Sequence, residues 1–250
     1  MVLGIDSFRE KFKDYTDFYT IIGGTACDIL LTEADMIFRA TKDIDMILIM
    51  EGNFPEFGAV FWEYIKEGGY KCGWKNEENM HFYRFTEGNS GYPAMIELFS
   101  RNPGYHLEIE EGIIPVHIDD DISSLSAILL NDDFYQFMMA GRRVVDGIGV
   151  LGAEYLIPFK MYAWINLLAR RNAGEHVNER DLRKHKYDVF RLLQIVTVGT
   201  RVESDGLVAE SIQRYIEEIS AVDENEVRLI QMGLPFNREQ GVELLKRIYL

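Results

Sequence analysis

The spacing of hydrophobic residues along the chain changes near residue 150. Before that point, short apolar runs typical of β-strands alternate with stretches in which apolar residues recur every three or four positions, as on one face of a helix. After it, only the helical spacing continues. The pattern therefore predicts an α/β fold class, with a mixed sheet and flanking helices over residues 1–150 and a helical domain over residues 151–250.

The same pattern predicts the individual elements. The predicted strands are residues 18–22, 44–50, 80–86, 93–100, 113–118, 125–130 and parts of 134–148. The predicted helices are residues 5–17, 25–34, 54–68, 153–171, 178–197, 206–220, 223–232 and 237–249. A cleft between an α/β domain and a helical domain is a common place for a ligand.

Composition narrows the classes of function. The 250 residues are 47% hydrophobic and carry a formal net charge of −15, which excludes binding to nucleic acid through bulk charge. The two cysteines, Cys27 and Cys72, are too few for a disulfide framework and have no zinc-type neighbour, so we expect buried free thiols. Free thiols and an N-terminal segment without the apolar run of a signal peptide favour the cytoplasm. No apolar run approaches the length of a membrane span.

The chemistry is concentrated in residues 21–45. There an apolar strand ends in Gly23 and Gly24, a helical stretch follows, and the next strand opens with Asp43 and Asp45. The two aspartates lie on the same face of that strand, because side chains alternate along a strand. Two carboxylates so close repel each other unless a cation lies between them, and Mg²⁺ prefers such oxygen ligands together with phosphates. Because backbone N–H groups at the start of a helix bind phosphates, the segment predicts a metal-dependent enzyme that acts on a nucleoside triphosphate.

A third carboxylate, Glu97, lies inside the apolar run 94–99. A solvated strand face would account for a glutamate, but Met95 and Phe99 lie on the same face of that strand. We therefore interpret Glu97 as a residue of the site. Three carboxylates on neighbouring strands can hold two Mg²⁺ ions, the arrangement used for in-line nucleotidyl transfer.

The combined motif resembles the AbiEii-type nucleotidyltransferases, in which Gly-Gly-Thr-Ala is followed by Arg-x-Thr-x-Asp-x-Asp. This family belongs to the polymerase-beta-like superfamily and includes toxins of bacterial toxin–antitoxin and phage-defence systems. The resemblance implies a nucleotidyltransferase-like sheet and a metal site at Asp43 and Asp45. The residues that it places at the nucleotide are Gly23, Gly24, Thr25, Arg39 and Thr41.

The helical half carries a second part of the resemblance. The family has a lysine in a Lys-x-x-Ala setting and a later aspartate in a basic helical stretch, which match Lys160 and Asp188. The sequence departs from the family at His185, where an aspartate is frequent, and Asp181 could substitute because it lies on the same helical face as Asp188. The interpretations without a function are a surface lysine at 160 and a pairing of Asp188 with Lys184 on the helix surface.

Residues 170–191 are locally basic, with seven Lys or Arg against four acids and therefore an excess of +3. This excess could contact a triphosphate or an RNA acceptor. Ion pairs on a solvated helix face explain the same pattern, and this interpretation is favoured.

The sequence therefore predicts transfer of a nucleoside monophosphate from an NTP to an acceptor hydroxyl of RNA or protein, with release of pyrophosphate. In this prediction Asp43, Asp45 and Glu97 hold two Mg²⁺ ions, and Glu97 is a metal ligand or the general base. Lys160 neutralises the triphosphate and Asp188 orients a basic group. If the resemblance extends to the toxins, an antitoxin protein is a partner. Separately, we expect no membrane partner. The alternatives are a small-molecule nucleotidyltransferase of the antibiotic-modifying kind and a non-catalytic nucleotide-binding regulatory protein.

Overall fold

The computed structural model describes residues 2–49, 54–77, 80–100, 115–116, 131–222 and 227–250. The chain forms two compact units, and both are discontinuous in sequence. The first comprises Met1–Leu130 and Arg142–Leu151, and the second comprises Asn131–Gly141 and Gly152–Leu250.

A mixed sheet of eight strands forms the centre of the first unit. In chain order the strands are β1 Tyr19–Ile22, β2 Asp43–Leu48, β3 Lys71–Glu77, β4 Met80–Thr86, β5 Met95–Ser100, β6 Pro115–Val116, β7 Arg142–Val145 and β8 Ile148–Leu151. Their order in the sheet is β6-β3-β4-β5-β2-β1-β8-β7. The pairs β1–β8, β2–β5 and β3–β6 are parallel and the other pairs are antiparallel. The predicted α/β class with a mixed sheet is confirmed.

Three helices belong to the same unit: α1 Ile5–Phe12, α2 Gly23–Glu33 and α3 Phe54–Glu67. A 3₁₀ turn over Lys13–Phe18 connects α1 to β1, so the predicted helix over 5–17 ends earlier than expected. Aromatic rings hold α1 and α3 together. Phe12 lies 5.1 Å from Tyr64 and 5.8 Å from Phe57, measured between ring centroids. All three rings are buried, which places a large apolar area in this core.

The second unit is helical in the part of the chain that the structure describes. Its helices are α4 Asp132–Ala140, α5 Ala153–Asn172, α6 Glu179–Leu193, α7 Gly206–Ala221 and α8 Arg238–Tyr249. Asparagine side chains cap three of them. Asn131 accepts hydrogen bonds from two backbone N–H groups of α4, Asn178 caps α6 as predicted, and Asn237 forms a capping box with Gln240.

Parts of 134–148 form strands as predicted, but Asp132–Ala140 form a helix that was not predicted, α4. Its apolar residues Phe134, Phe137 and Met138 have helical spacing and are buried on one side. Asn131 provides the cap, and two aspartates in the first turn favour a helix through its dipole. The second half of the segment does form a strand, β7.

Other differences concern single elements. The strand β3 was not predicted. Of the predicted helix 223–232, the described residues 227–232 form only a 3₁₀ turn over Ile230–Met232. The predicted strand 125–130 lies outside the described residues.

Cys27 and Cys72 are both buried thiols, as predicted, and no disulfide joins them. Burial raises the pKa of the Cys72 thiol to about 11, so this thiol stays protonated near neutral pH. Within the described ranges, none of the helices has the length and apolar character that crossing a membrane requires.

Candidate functional site

The turn between β1 and α2 is the starting point of the site. β1 is buried along its whole length, and the chain turns directly into α2 at Gly23, whose φ is +69°. A Cβ atom at this position would lie 1.8 Å from Oδ2 of Asp45, so the Asp45 carboxylate occupies the space above Gly23. Only glycine satisfies both conditions, since other residues rarely adopt this φ and all of them carry a Cβ. The turn therefore brings the start of α2 and a carboxylate of β2 into contact.

The next residues of α2 contact the segment that leads into β2. A Cβ atom at Gly24 would lie 3.2 Å from Oγ1 of Thr41 and 3.6 Å from Nη2 of Arg39. The hydroxyls of Thr25 and Thr41 are 3.4 Å apart, and the Thr25 hydroxyl donates a hydrogen bond to the backbone oxygen of Asp43. The five residues predicted to bind the nucleotide therefore lie together at the start of α2. Their backbone donors, hydroxyls and guanidinium are groups that bind phosphate.

The three predicted carboxylates share one face of the sheet. Asp45 of β2 pairs with Glu97 of β5 in parallel register, and Asp43 pairs with Met95. Paired residues of neighbouring strands direct their side chains to the same face, and so do residues two apart along one strand. Asp43, Asp45 and Glu97 consequently project from the same side of two adjacent strands.

Glu97 differs from the two aspartates in its surroundings. It is only 4% exposed, and its Oε1 accepts a hydrogen bond of 2.7 Å from Nε of Arg84. Arg84 lies directly opposite Glu97 on β4. Asp43 and Asp45 are half-buried. Among the described residues, no three His, Cys, Asp or Glu side chains are grouped closely enough to hold a metal ion. The oxygens of Asp43 and Asp45 are the donors that Mg²⁺ prefers and fit such an ion, whereas Glu97 is held by a cation of the protein.

In the second unit, Lys160 of α5 and Asp188 of α6 form a buried ion pair. Nζ of Lys160 lies 3.5 Å from Oδ2 of Asp188, and the two side chains are 1% and 0% exposed. Arg191, one turn further along α6, places Nη1 3.2 Å from the other oxygen of Asp188. Lys160 is therefore not a surface lysine. Asp188 bridges these two cations. Its role in a nucleotide site stays a prediction.

Asp181 does not take the place of Asp188. Its carboxylate lies 3.8 Å from Lys184 on a partly exposed side of α6. The interpretation that paired Asp188 with Lys184 was therefore wrong, because Lys184 pairs with the aspartate three residues before it and Asp188 faces α5.

The locally basic stretch keeps its net charge of +3, but its four acids all form ion pairs with its cations. Four of its cations lie within 4.0 Å of a carboxylate: Arg170 with Glu175, Arg171 with Glu179, Lys184 with Asp181 and Arg191 with Asp188. This arrangement supports the interpretation of a helix face with ion pairs over that of an RNA-binding surface.

Sequence reasoning missed Arg84 and Arg191. Arg84 is a cation inside a strand that is otherwise rich in aromatic residues, the same kind of anomaly that drew attention to Glu97. Arg191 lies three residues after Asp188 on a helix, where an ion pair is expected. Both signals are visible in the sequence, but the pairing of Arg84 with Glu97 follows only from strand register.

Comparison with known proteins finds similarity at the level of solved structures. No known protein family matches the chain, and neither does any curated protein. An antigenic nucleotidyltransferase-like protein from Paracoccidioides brasiliensis aligns with a TM-score of 0.48 at 12% identity, covering 99% of this chain and 91% of the other. JHP933 from Helicobacter pylori aligns with a TM-score of 0.40 at 13% identity, covering 97% and 87%. A putative nucleotidyltransferase from H. pylori aligns with a TM-score of 0.41 at 12% identity, covering 97% and 89%. Because both identity and TM-score are low, the function proposed below rests on the geometry of the site.

Proposed function

We propose that this protein is a metal-dependent nucleotidyltransferase that moves a nucleoside monophosphate from an NTP to an acceptor hydroxyl. One observation supports the proposal most directly: the start of α2 and the Asp45 carboxylate of β2 lie in contact, with Asp45 directly above Gly23. A triphosphate needs donors for its oxygens and a cation for its charge. This contact supplies donors and metal-type ligands side by side.

Each residue of the contact has a role in the proposed reaction. The backbone N–H groups of Gly24 and Thr25 bind the β- and γ-phosphates, with Arg39 and the Thr41 hydroxyl beside them. Asp43 and Asp45 hold Mg²⁺, which when bound neutralises the phosphates and lowers the pKa of the acceptor hydroxyl. Glu97 accepts the proton of that hydroxyl or would serve as a further ligand of the metal.

The bond changes follow from these roles. The acceptor oxygen forms a bond to the α-phosphorus, and the bond from that phosphorus to the bridging oxygen breaks. Pyrophosphate leaves with the electron pair, and the hydroxyl proton passes to the base. In the second unit, Asp188 orients the ammonium of Lys160 through their buried ion pair.

The finer assignments belong to the same proposal. The acceptor is a hydroxyl of RNA or protein, and the setting is a cytoplasmic toxin–antitoxin system with a cognate antitoxin. These assignments rest on the AbiEii-type motif of residues 23–45.

The test is incubation of the protein with each α-labelled NTP, Mg²⁺, and total RNA or total protein. We expect label in one acceptor fraction and release of pyrophosphate. Asp43→Asn and Asp45→Asn should lower the rate at least about a hundredfold, because metal ligands contribute several kcal/mol to the transition state.

Asp35→Asn is the matched control. Asp35 is an exposed acid of the same unit with φ of +56°, a conformation that asparagine tolerates, so the variant loses the same charge without strain. It should transfer label at the parental rate. Equal activity in Asp45→Asn and the parent, with both folded by circular dichroism, would contradict the catalytic assignment.

A further inference from the structure

A row of three charged side chains crosses adjacent strands of the sheet. Arg84 of β4 is paired with Glu97 of β5, and Glu97 is paired with Asp45 of β2. The pleat directs all three side chains to one face, with neighbours about 5 Å apart at Cβ. Glu97 therefore lies between a cation on one side and a predicted metal ligand on the other.

Because Glu97 is buried, its carboxylate depends on the positive charge of Arg84. Its side chain is 6% exposed and that of Arg84 is 22% exposed, and they are joined at 2.7 Å. A buried carboxylate needs a positive partner, because desolvation of an unpaired charge is costly. Asp45 next to it adds negative charge, which increases that need.

A divalent cation bound at Asp45 would offer Glu97 a second partner of higher charge. Oε1 of Glu97 is already the acceptor for Arg84, so binding of a metal to this carboxylate requires the ion pair with Arg84 to weaken or break. The positive charge of Arg84 also repels a second cation at this distance.

We propose that Arg84 competes with metal for Glu97 and is the positioning residue that sets the metal affinity of the site. This inference rests on the proposed function, since it takes Asp45 as a metal ligand. While a metal ion is bound only by Asp43 and Asp45, Glu97 stays paired with Arg84. If the metal ion also binds Glu97, the ion pair between Glu97 and Arg84 breaks.

The test is Mn²⁺ binding to the full chain without nucleotide, followed by electron paramagnetic resonance of the free ion. Arg84→Met should bind Mn²⁺ about tenfold more tightly than the parent, the scale on which partners of metal ligands alter affinity. In the Glu97→Gln background the same replacement should change affinity little, because Glu97 is the group for which the two cations compete. Arg143→Met is the matched control, since Arg143 forms an exposed pair with Glu33 in the same unit and should leave Mn²⁺ affinity unchanged.

The other outcomes separate the hypotheses. Unchanged Mn²⁺ affinity in Arg84→Met, or an equal gain with and without Glu97, overturns the competition while leaving the metal site intact. Loss of Mn²⁺ binding in Asp45→Asn would show that the bound Mn²⁺ occupies the site at Asp45, as this inference requires. If the parent and Arg84→Met both fail to bind Mn²⁺, the metal site and this inference fall together. Arg84→Gln, which retains a polar side chain, carries the same expectations if Arg84→Met does not fold.

Discussion

Gly23 is required by two independent physical constraints. Its φ of +69° lies in the left-handed region, and the Asp45 carboxylate fills the place of a Cβ atom. The positive φ would favour glycine in any left-handed turn. The contact with Asp45 is particular to this site, because the Asp45 carboxylate can lie there only if residue 23 has no side chain.

We predict that Gly23→Ala lowers both stability and Mn²⁺ affinity. The left-handed backbone costs about 1–2 kcal/mol with a Cβ present, and the new methyl group also displaces Asp45. Gly174→Ala is the control, because Gly174 has φ of +85° and a Cβ atom there would have no neighbour within 4 Å. Urea unfolding should show a larger loss for Gly23→Ala than for Gly174→Ala, and only Gly23→Ala should weaken Mn²⁺ binding. Equal losses in the two variants would mean that Asp45 is easily displaced.

Glu97 and Arg84 show how far residue-level prediction reaches. A glutamate within an apolar strand was recognised as an anomaly, and the structure places it opposite Asp45. Its ion pair with Arg84 was not predicted, because the pairing register of β4 with β5 depends on contacts between segments.

At the scale of elements, the packing of α5 against α6 buries an ion pair in a helical unit. Lys160 and Asp188 are the contact, and Arg191 binds the same carboxylate from the partly exposed side. The periodicity of α6 predicted a helix with an apolar face but did not indicate which of its aspartates is buried. Asp181 and Asp188 lie seven residues apart on the same side of α6. Only Asp188 contacts α5, and the sequence does not indicate this.

We predict that Asp188→Asn destabilises the protein by about 3–5 kcal/mol, because it leaves the buried Lys160 ammonium without its carboxylate. Asp181→Asn is the control on the same helix and should cost at most about 1 kcal/mol, since its pair with Lys184 is partly exposed. The free energy of unfolding in urea, followed by helical circular dichroism, measures both effects. Joint replacement by Lys160→Met and Asp188→Leu should recover much of the loss. Similar small losses for both aspartates would show that the buried pair contributes little.

At the scale of the whole molecule, both units bury groups that lose a proton in alkali. Burial raises the pKa of Tyr19 to about 12, against a smaller opposing effect of its hydrogen bond with the Gly149 backbone. Burial likewise raises the pKa of the Cys72 thiol to about 11. Desolvation also raises the pKa of further phenols, namely Tyr64, Tyr70, Tyr215 and Tyr249. In the unfolded chain these groups ionise near their ordinary pKa values.

We therefore predict that stability falls as pH rises above about 9. Above the ordinary pKa values the unfolded chain binds fewer protons than the folded protein, so the free energy of unfolding decreases with pH. Below them both states are protonated, and these groups contribute no pH dependence. The urea midpoint between about pH 8 and pH 11 measures the effect. Tyr19→Phe should flatten the decline, and a midpoint that is constant over this range would contradict the prediction.

The sequence by itself determined the parts of this protein that depend on neighbours along the chain. An apolar run followed by two glycines predicts a strand that turns into a helix, and alternation in β2 places Asp43 and Asp45 on one face. Helical spacing beyond residue 150 predicted α5 to α8 because that periodicity is also local.

Only the tertiary structure decided which distant residues meet. The registers of β2, β4 and β5 placed Glu97 between Asp45 and Arg84, and the packing of α5 on α6 selected Asp188 for Lys160. The tertiary structure also assigned α4 to the helical unit. The β7–β8 hairpin, which follows α4 in the chain, belongs to the sheet of the first unit. The physical reason is the same in each case: the free energy of these arrangements comes from burial and pairing between segments far apart in sequence, which local pattern does not encode.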